Sequence, residues 1–376
     1  MGAANSFGKN FVVTSIGESH GRMVGVVLDG VPAGHEIDLE DINKGMDRRK
    51  PGQSNVTTSR NEEDRVECLS GLFNGITTGA PVTLVTWNKD ADSSVYEKFK
   101  DIPRPGHADY TATIRYGGFQ DYRGSGRFSG RLTACLVMAG AFASQIFKDK
   151  ISITIGAHAR EIAGIRYDGE VDVDAIRERT EANPVRCYDA TVAKEMEEAI
   201  EAASIEKDSV GGIVECFIQG LPAGLGDPYF DSIESQLANI VFSIGAVKGI
   251  EFGAGFSAAR LRGSENNDPY AIDSDGSIVI KSNNAGGILG GITTGAPIVF
   301  RVAFKPTSSI GKPQRSINMT TKEPVDLEYE GRHDPCIVPR AIPVVEAAAA
   351  IVVLDVLIGA GLVPRVHGQS LHDSLK

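Results

Sequence analysis

The heptapeptide GITTGAP occurs twice in this chain, letter for letter, at residues 75–81 and 291–297. Seven identical residues at two places mark an internal duplication, and duplicated units stack on a shared core. A second matched pair lies upstream of each copy, where residues 30–34 read GVPAG and residues 220–224 read GLPAG. Each of these follows a β-branched, strand-like run and precedes a run with helical periodicity. Each GITTGAP leads into an alternating apolar stretch, PVTLVTW or PIVFRVAF, that reads as a strand. The order strand, GxPAG, helix, GITTGAP, strand therefore runs twice. Strict βαβ alternation is absent, so mostly antiparallel sheets with helices between or against them are expected. The chain is read as one α/β unit of the α+β type with two pseudo-symmetric halves, about 7–150 and 209–357. A connecting excursion over about 151–208 joins them.

The 376 residues carry a net charge of −11, with a pI near 5.2. That balance argues against a broad surface for nucleic acid or anionic membrane, since binding a phosphate backbone needs a positive face. Five cysteines are scattered without metal-ligand or disulfide spacing, which fits a reducing compartment; no metal is assigned. The N-terminal residues show no apolar core of a secretory signal. The most apolar stretch, PVVEAAAAIVVLDVLIGAGLVP, includes Glu346 and Asp355 and reads as a buried helix rather than a membrane span. A cytoplasmic protein is expected.

Against the acidic background, residues 104–131 stand out: RPGHADYTATIRYGGFQDYRGSGRFSGR places five arginines and a histidine among closely spaced glycines. Arginine forks grip carboxylate and phosphate, and glycines let backbone N–H groups approach an anion. The segment runs into RLTACLVMAGAFASQIF, an apolar helix starting near Phe128 or Ser129. A glycine-rich turn at a helix N-terminus is a ready anion site, flanked here by Arg127 and Arg131. The glycine spacing does not match the dinucleotide fingerprint. A mobile arginine-glycine loop of the nucleic-acid-binding kind is the alternative, and the apolar helix behind it argues against disorder.

Gly17-Glu18-Ser19-His20-Gly21 matches the nucleophile-elbow pattern of serine hydrolases, but a second strand follows it where the elbow needs a helix. A glycine-flanked turn exposing His20 as a proton carrier is the competing reading, because imidazole titrates near neutral pH. His107, in the turn Arg104-Pro105-Gly106-His107-Ala108-Asp109, is a second proton carrier. Arg48, Arg49 and Lys50 close a helix, where they either bind an anion or complement the helix dipole. The glycine-rich turn from Asn284 to Gly291, with Gly290 in it, and the hydroxyl-rich stretch Lys305, Pro306, Thr307, Ser308, Ser309 can hydrogen-bond a phosphate or a heterocycle edge. Arg332, His333 and Asp334 stand at the entry to the C-terminal helix. Together these residues describe a site for phosphorylated small molecules with two histidines and an aspartate for proton transfer.

The motifs GESHG, DRRKPGQ, RPGHADYT, DYRGSGRFSGR, NNAGGILGGI, KPTSS and GRHDPC occur in the order found in the chorismate synthase family, and the resemblance spans about Phe7 to Leu357. It implies a β-α-β sandwich, a homotetramer, and a 1,4-anti elimination of phosphate from 5-enolpyruvylshikimate 3-phosphate that requires reduced FMN without net redox change. By the same resemblance His20, His107 and Asp334 are catalytic, and Ser19, Arg49, Arg104, Arg123 and Arg131 bind the substrate anions. Arg127, Phe128, Ser129, Gly245, Ala246, Gly290, Lys305 to Ser309 and Arg332 would bind FMN. NADPH is a candidate reductant at Arg49 and Asn55, although Asn55 stands where many family members have a basic residue. The competing classes are a non-catalytic protein binding a flavin or phosphometabolite, and a hydrolase using Ser19.

Overall fold

The computed structural model describes residues 4–50, 52, 64–89, 93–97, 100–148, 151–328 and 334–368. The first sheet is built from β1 (Ser6–Phe7), β2 (Val12–Gly17), β3 (Met23–Asp29), β4 (Glu67–Ser70) and, beyond a small hairpin of β5 (Leu72–Phe73) and β6 (Ile76–Thr77), β7 (Val82–Trp87). Their order is β1-β2-β3-β7-β4, with every pair antiparallel. Helix α1 (Leu39–Arg49) leaves β3, starting at Asp38, whose side chain accepts from the Glu40 N–H as an N-cap. Short helices α2 (Ser94–Glu97) and α3 (Asp109–Tyr116) precede the long α4 (Thr133–Lys148).

The second sheet repeats the plan. Strands β8 (Thr154–Ile162) and β9 (Ile165–Arg166) are followed by α5 (Ile176–Glu181) and α6 (Ala190–Ile205), then by β10 (Gly212–Gln219), α7 (Ile233–Val241) and β11 (Val247–Phe252). After α8 (Gly263–Asn266), the hairpin β12 (Tyr270–Ile272) with β13 (Ile278–Ile280), and the hairpin β14 (Ile288–Leu289) with β15 (Ile292–Thr293), comes β16 (Ile298–Phe304). The sheet order is β11-β16-β10-β8-β9, again all antiparallel. A last hairpin of β17 (Gln314–Ile317) and β18 (Pro324–Leu327) leads to α9 (Val338–Gly359). The stretch 151–208, expected as a connecting excursion, therefore carries two strands of the second sheet, β8 and β9. β8 pairs with β10 from Thr154 opposite Gln219 to Ile162 opposite Gly212, and its alternate residues Ala157 and Ala159 are core.

Period-two alternation decides which face of each sheet turns inward. Val24, Val26 and Leu28 of β3 are fully buried, and Ile298, Phe300, Val302 and Phe304 of β16 alternate with less buried residues. Helix α4 packs on β2 and β3, α9 packs on β8 and β10, and the two helices pack on each other. The layers are thus sheet, helices, sheet.

The duplicated motifs meet in space. In the first half the Thr77 hydroxyl donates to the Pro32 carbonyl at 2.7 Å and accepts from the His35 N–H at 2.9 Å. In the second the Thr293 hydroxyl donates to Pro222 at 2.7 Å and accepts from the Leu225 N–H at 2.9 Å. The repeated sequence is thus a latch in which one threonine per half holds the GxPAG loop. Gly30 and Gly220 open these loops at φ of +74° and +91°, where a β-carbon would lie about 2 Å from the carbonyl oxygens of Asn10 and Ser152.

Helix α9 is apolar and long enough to cross a membrane, with a mean hydropathy of 2.4, yet 83% of that stretch is buried inside the fold. Its two acids have internal partners. Glu346 pairs with Arg48 and accepts from the Ala157 N–H at 3.1 Å; Arg48 also donates to Glu181 at 2.7 Å. Asp355 accepts the backbone N–H groups of Lys9, Asn10 and Phe11 at 2.9, 2.6 and 2.7 Å. Asp355→Ala should leave those donors without their acceptor and lower the unfolding free energy by about 3 kcal/mol. A urea midpoint indistinguishable from that of the parent chain would contradict the assigned role.

Candidate active site

A cleft of about 2350 Å³ gathers segments from both halves. One wall is the β2–β3 turn bearing Ser19 and His20; others are the end of α1 with Arg49, the entry to α4 with Arg127 to Arg131, and the entry to α9 with Asp334. Gly245 and Ala246 before β11, together with Lys305, Thr307, Ser308 and Ser309 after β16, line the opposite side, and His107 also faces the cleft.

The GESHG turn joins two antiparallel strands, so Ser19 does not sit on the strand-to-helix elbow of a hydrolase. Three outside residues, Gly126, Arg127 and Asn88, hold the turn. Arg127 donates to the Gly17 carbonyl at 2.9 Å and to the Ser15 hydroxyl at 2.6 Å; the Ser19 N–H donates to the Gly126 carbonyl at 3.3 Å. The Asn88 amide donates to the carbonyls of Glu18 and Gly21 at 3.1 and 2.8 Å. Asn88 also accepts from Arg131 at 2.6 Å, linking the histidine turn to the α4 entry. The His20 ring lies against Gly124, where a β-carbon would fall 2.0 Å from its Cδ2, and its Nδ1 is 2.9 Å from the Ser93 hydroxyl. Gly124 at φ +56° is therefore a seat for the ring, a role different from the anion approach expected of these glycines.

Of the arginines closing α1, the structure separates two roles by helical phase. Arg48 turns to Glu181 and Glu346 in the interior; burial disfavours its charge, but the two carboxylates outweigh this and raise its pKa. Arg49 turns to the cleft and pairs with Asp64, which accepts a second bond from Arg131 at 2.8 Å. Asp64 is almost fully buried. Burial alone would raise its pKa, but the Arg49 and Arg131 guanidiniums hold it below the usual carboxylate range. Arg340 pairs with Asp334 and donates to the Arg49 carbonyl at 3.0 Å, so the α9 entry is tied to the same cluster.

His107 lies 2.6 Å through Nδ1 from Asp109, which also accepts from Arg104 at 2.8 Å. Arg104 does not line the large cleft; it is buried among Asp109, Ser125 and Ser309. Arg123 is an exposed side chain paired with Asp121 at 2.8 Å. Neither occupies the place in the cleft expected of a substrate ligand. Gly290 at φ +61° lies in the β14–β15 turn, and it and Pro306 are outside the cleft lining. Arg332 and Asn55 fall outside the described residues. Sequence reasoning missed Asp64, Asn88 and Arg340, each of which bonds a residue far along the chain. Lys248 was missed too; its charge together with burial lowers the pKa of Lys305. Among the described residues no cluster of three metal-ligating side chains is found.

The chorismate synthase family model matches residues 11–358. The chain belongs to the chorismate synthase family. It is 52% identical to the chorismate synthase of Dehalococcoides mccartyi over 97% of this chain and 100% of that one, and 49% identical to that of Methanococcoides burtonii over 98% of each. A crystal structure of chorismate synthase superposes with a TM-score of 0.74 at 29% identity, covering 94% of this chain and 93% of that one. Membership makes the protein a carbon–oxygen lyase of aromatic amino acid biosynthesis.

Gly124→Ala should displace the His20 ring, and on the expectation that His20 carries a proton it should lower turnover about 10²-fold; a His20 ring environment unchanged by NMR would refute the seating role. Asp64 yields a pH signature. Its folded pKa is depressed, so its stabilisation is present above the unfolded value near about 4 and is lost as pH falls toward the folded one. The stability difference between the parent chain and Asp64→Asn should hold constant from about pH 8 to 5 and shrink below about pH 4. A difference that persists in acid would contradict it.

Proposed function

We propose that this cleft binds 5-enolpyruvylshikimate 3-phosphate together with reduced FMN and catalyses the 1,4-anti elimination that yields chorismate and phosphate. The observation that carries the proposal is the convergence of His20, His107 and Asp334 on one cleft that also presents the buried Arg49–Asp64–Arg131 cluster. Binding alone does not call for proton carriers.

The donor set suits both anions. The substrate carries a phosphate and two carboxylates, and Ser19, Arg49 and Arg131 are the groups proposed to receive them. Arg104, expected in the same set, is proposed to act from behind the wall, and Arg123 from the exposed rim where it pairs with Asp121. For FMN, Ser129 and Phe128 at the α4 entry, Gly245, Ala246, Lys305 and the hydroxyls of Thr307, Ser308 and Ser309 are the proposed holders, with Arg127 supporting them. Lys305 supports the fit: burial and the neighbouring Lys248 destabilise its charge, and a phosphate between these cations would relieve that repulsion. The chemistry supplied by bound reduced FMN is a transient donation of electron density with no net redox change. NADPH is proposed as a reductant at Arg49.

The chain's own residues then have separable tasks. One histidine donates a proton to the departing phosphate, and the second holds the proton balance of the cofactor site. The Asp334 carboxylate assists removal of the ring hydrogen, and Arg340 keeps that carboxylate in place. Arg49 and Arg131, already aligned by Asp64, meet developing negative charge without reorganising. A cytoplasmic homotetramer belongs to the same proposal, and the exposed Tyr229, Phe230, Phe256 and Ile278 side chains offer apolar surface for such contacts.

The test is anaerobic. Substrate supplied with reduced FMN should give chorismate and phosphate in equal amounts; no product from folded, flavin-loaded protein would overturn the proposal. His107→Ala should lower kcat by about 10²-fold or more with KM within a few-fold. Equal losses in kcat and substrate affinity would instead make His107 a binding residue.

A further inference from the structure

His107, Asp109 and Arg104 form a hydrogen-bonded group whose geometry fixes a proton. The Arg104 side chain is 8% exposed, and its Nε and Nη2 donate to the two oxygens of Asp109, each at 2.8 Å. Nη2 also donates to the Ser125 hydroxyl at 2.8 Å, and Nη1 to the Ser309 hydroxyl at 3.1 Å. A terminal guanidinium nitrogen carries two hydrogens, and an ionised carboxylate only accepts. Both Nη2 hydrogens thus have short acceptors in Asp109 and Ser125. His107 Nδ1 lies 2.6 Å from Asp109 Oδ1 and 3.1 Å from Arg104 Nη2. Because an ionised carboxylate can only accept, Nδ1 must be the donor in its short contact with Asp109. Burial opposes ionisation of Asp109, yet the bonds from Arg104 and His107 hold its pKa well below the usual range, so it remains an acceptor.

We propose that Asp109 is the positioning residue of His107: it fixes the imidazole proton on Nδ1 and leaves Nε2 as the basic nitrogen, while Arg104 holds Asp109 in register. Arg104 therefore serves the histidine rather than the substrate, and through Ser125 and Ser309 it ties the RPGHAD turn to the loop beneath His20 and to the Lys305–Ser309 loop. A lysine cannot reproduce that fork. The mechanistic consequence rests on the reading of His107 as a proton carrier; the tautomer itself does not.

The decisive measurement is nitrogen NMR of the full chain labelled with 15N-histidine, without added ligand. His107 should show its proton on Nδ1. Asp109→Asn turns an amide donor toward Nδ1 to avoid facing Arg104, and the proton should move to Nε2; Asp109→Glu should retain the parent tautomer. In turnover assays Asp109→Asn should lower kcat by about 10²-fold with KM within a few-fold, and should have no further effect in a His107→Ala background. A parent His107 protonated on Nε2 would overturn the proposal even if Asp109→Asn did not fold. So would an equal kcat loss from Asp109→Asn with and without His107. Should His107→Ala leave turnover intact, the catalytic reading of His107 falls, while the spectrum still decides whether Asp109 sets the tautomer.

Discussion

Gly140 of α4 lies so close to α9 that a β-carbon on it would come within 2.4 Å of the Ala347 Cα and 2.6 Å of the Ala347 carbonyl oxygen. That contact sets the spacing of the two central helices, and through them the separation of the sheets. Packed interiors do not deform gradually, so the distance between the helix entries is fixed as well. Arg131 stands at one entry, Asp334 and Arg340 just before or within the other, and Arg49 between them on α1. The cleft is a by-product of core packing: its floor is where two buried helices begin.

Much of this was legible from local pattern. The repeat announced two equivalent sheet plans, and the apolar runs marked α4 and α9. The residues between Gly17 and Gly21 declared a hairpin because alternation resumed after them. What stayed hidden depended on pairing at a distance. Asp64 is an unremarked acid until Arg49 and Arg131 close on it, and Asn88 is a residue at a strand's end until it is seen bonding both Gly21 and Arg131. Arg48 and Arg49 are neighbours in sequence but about 100° apart around a helix, so one is structural and the other faces the cleft. Strand β8 lies in the stretch expected to be a connection, next to the acidic helix α6, and only its pairing with β10 places it in the sheet. Its His158 faces Glu215 at 3.1 Å on the outer side of the sheet, where α5 and Tyr167 cover it.

Arginine density alone does not separate the arginines that brace the local framework from those that share a buried acid. Arg104, Arg123 and Arg127 each bond protein groups in the local framework, whereas Arg49 and Arg131 share a single buried carboxylate. Two guanidiniums on one carboxylate keep a positive excess while losing side-chain freedom. Such a cluster is aligned before an anion arrives, and little conformational entropy is left to lose.

The acids of α9 bear on how the newly made chain is sorted. A segment of that length and apolarity resembles a span to anything that reads hydropathy alone. An aspartate at the centre of a bilayer helix opposes insertion by roughly 2.5–3.5 kcal/mol. Asp355 lies near the end of α9, where the penalty is smaller, while Glu346 lies closer to its middle. Inside the folded protein the same two carboxylates find Arg48 and three backbone N–H groups waiting. A pair of side chains thus makes one environment unfavourable and the other favourable for the same helix.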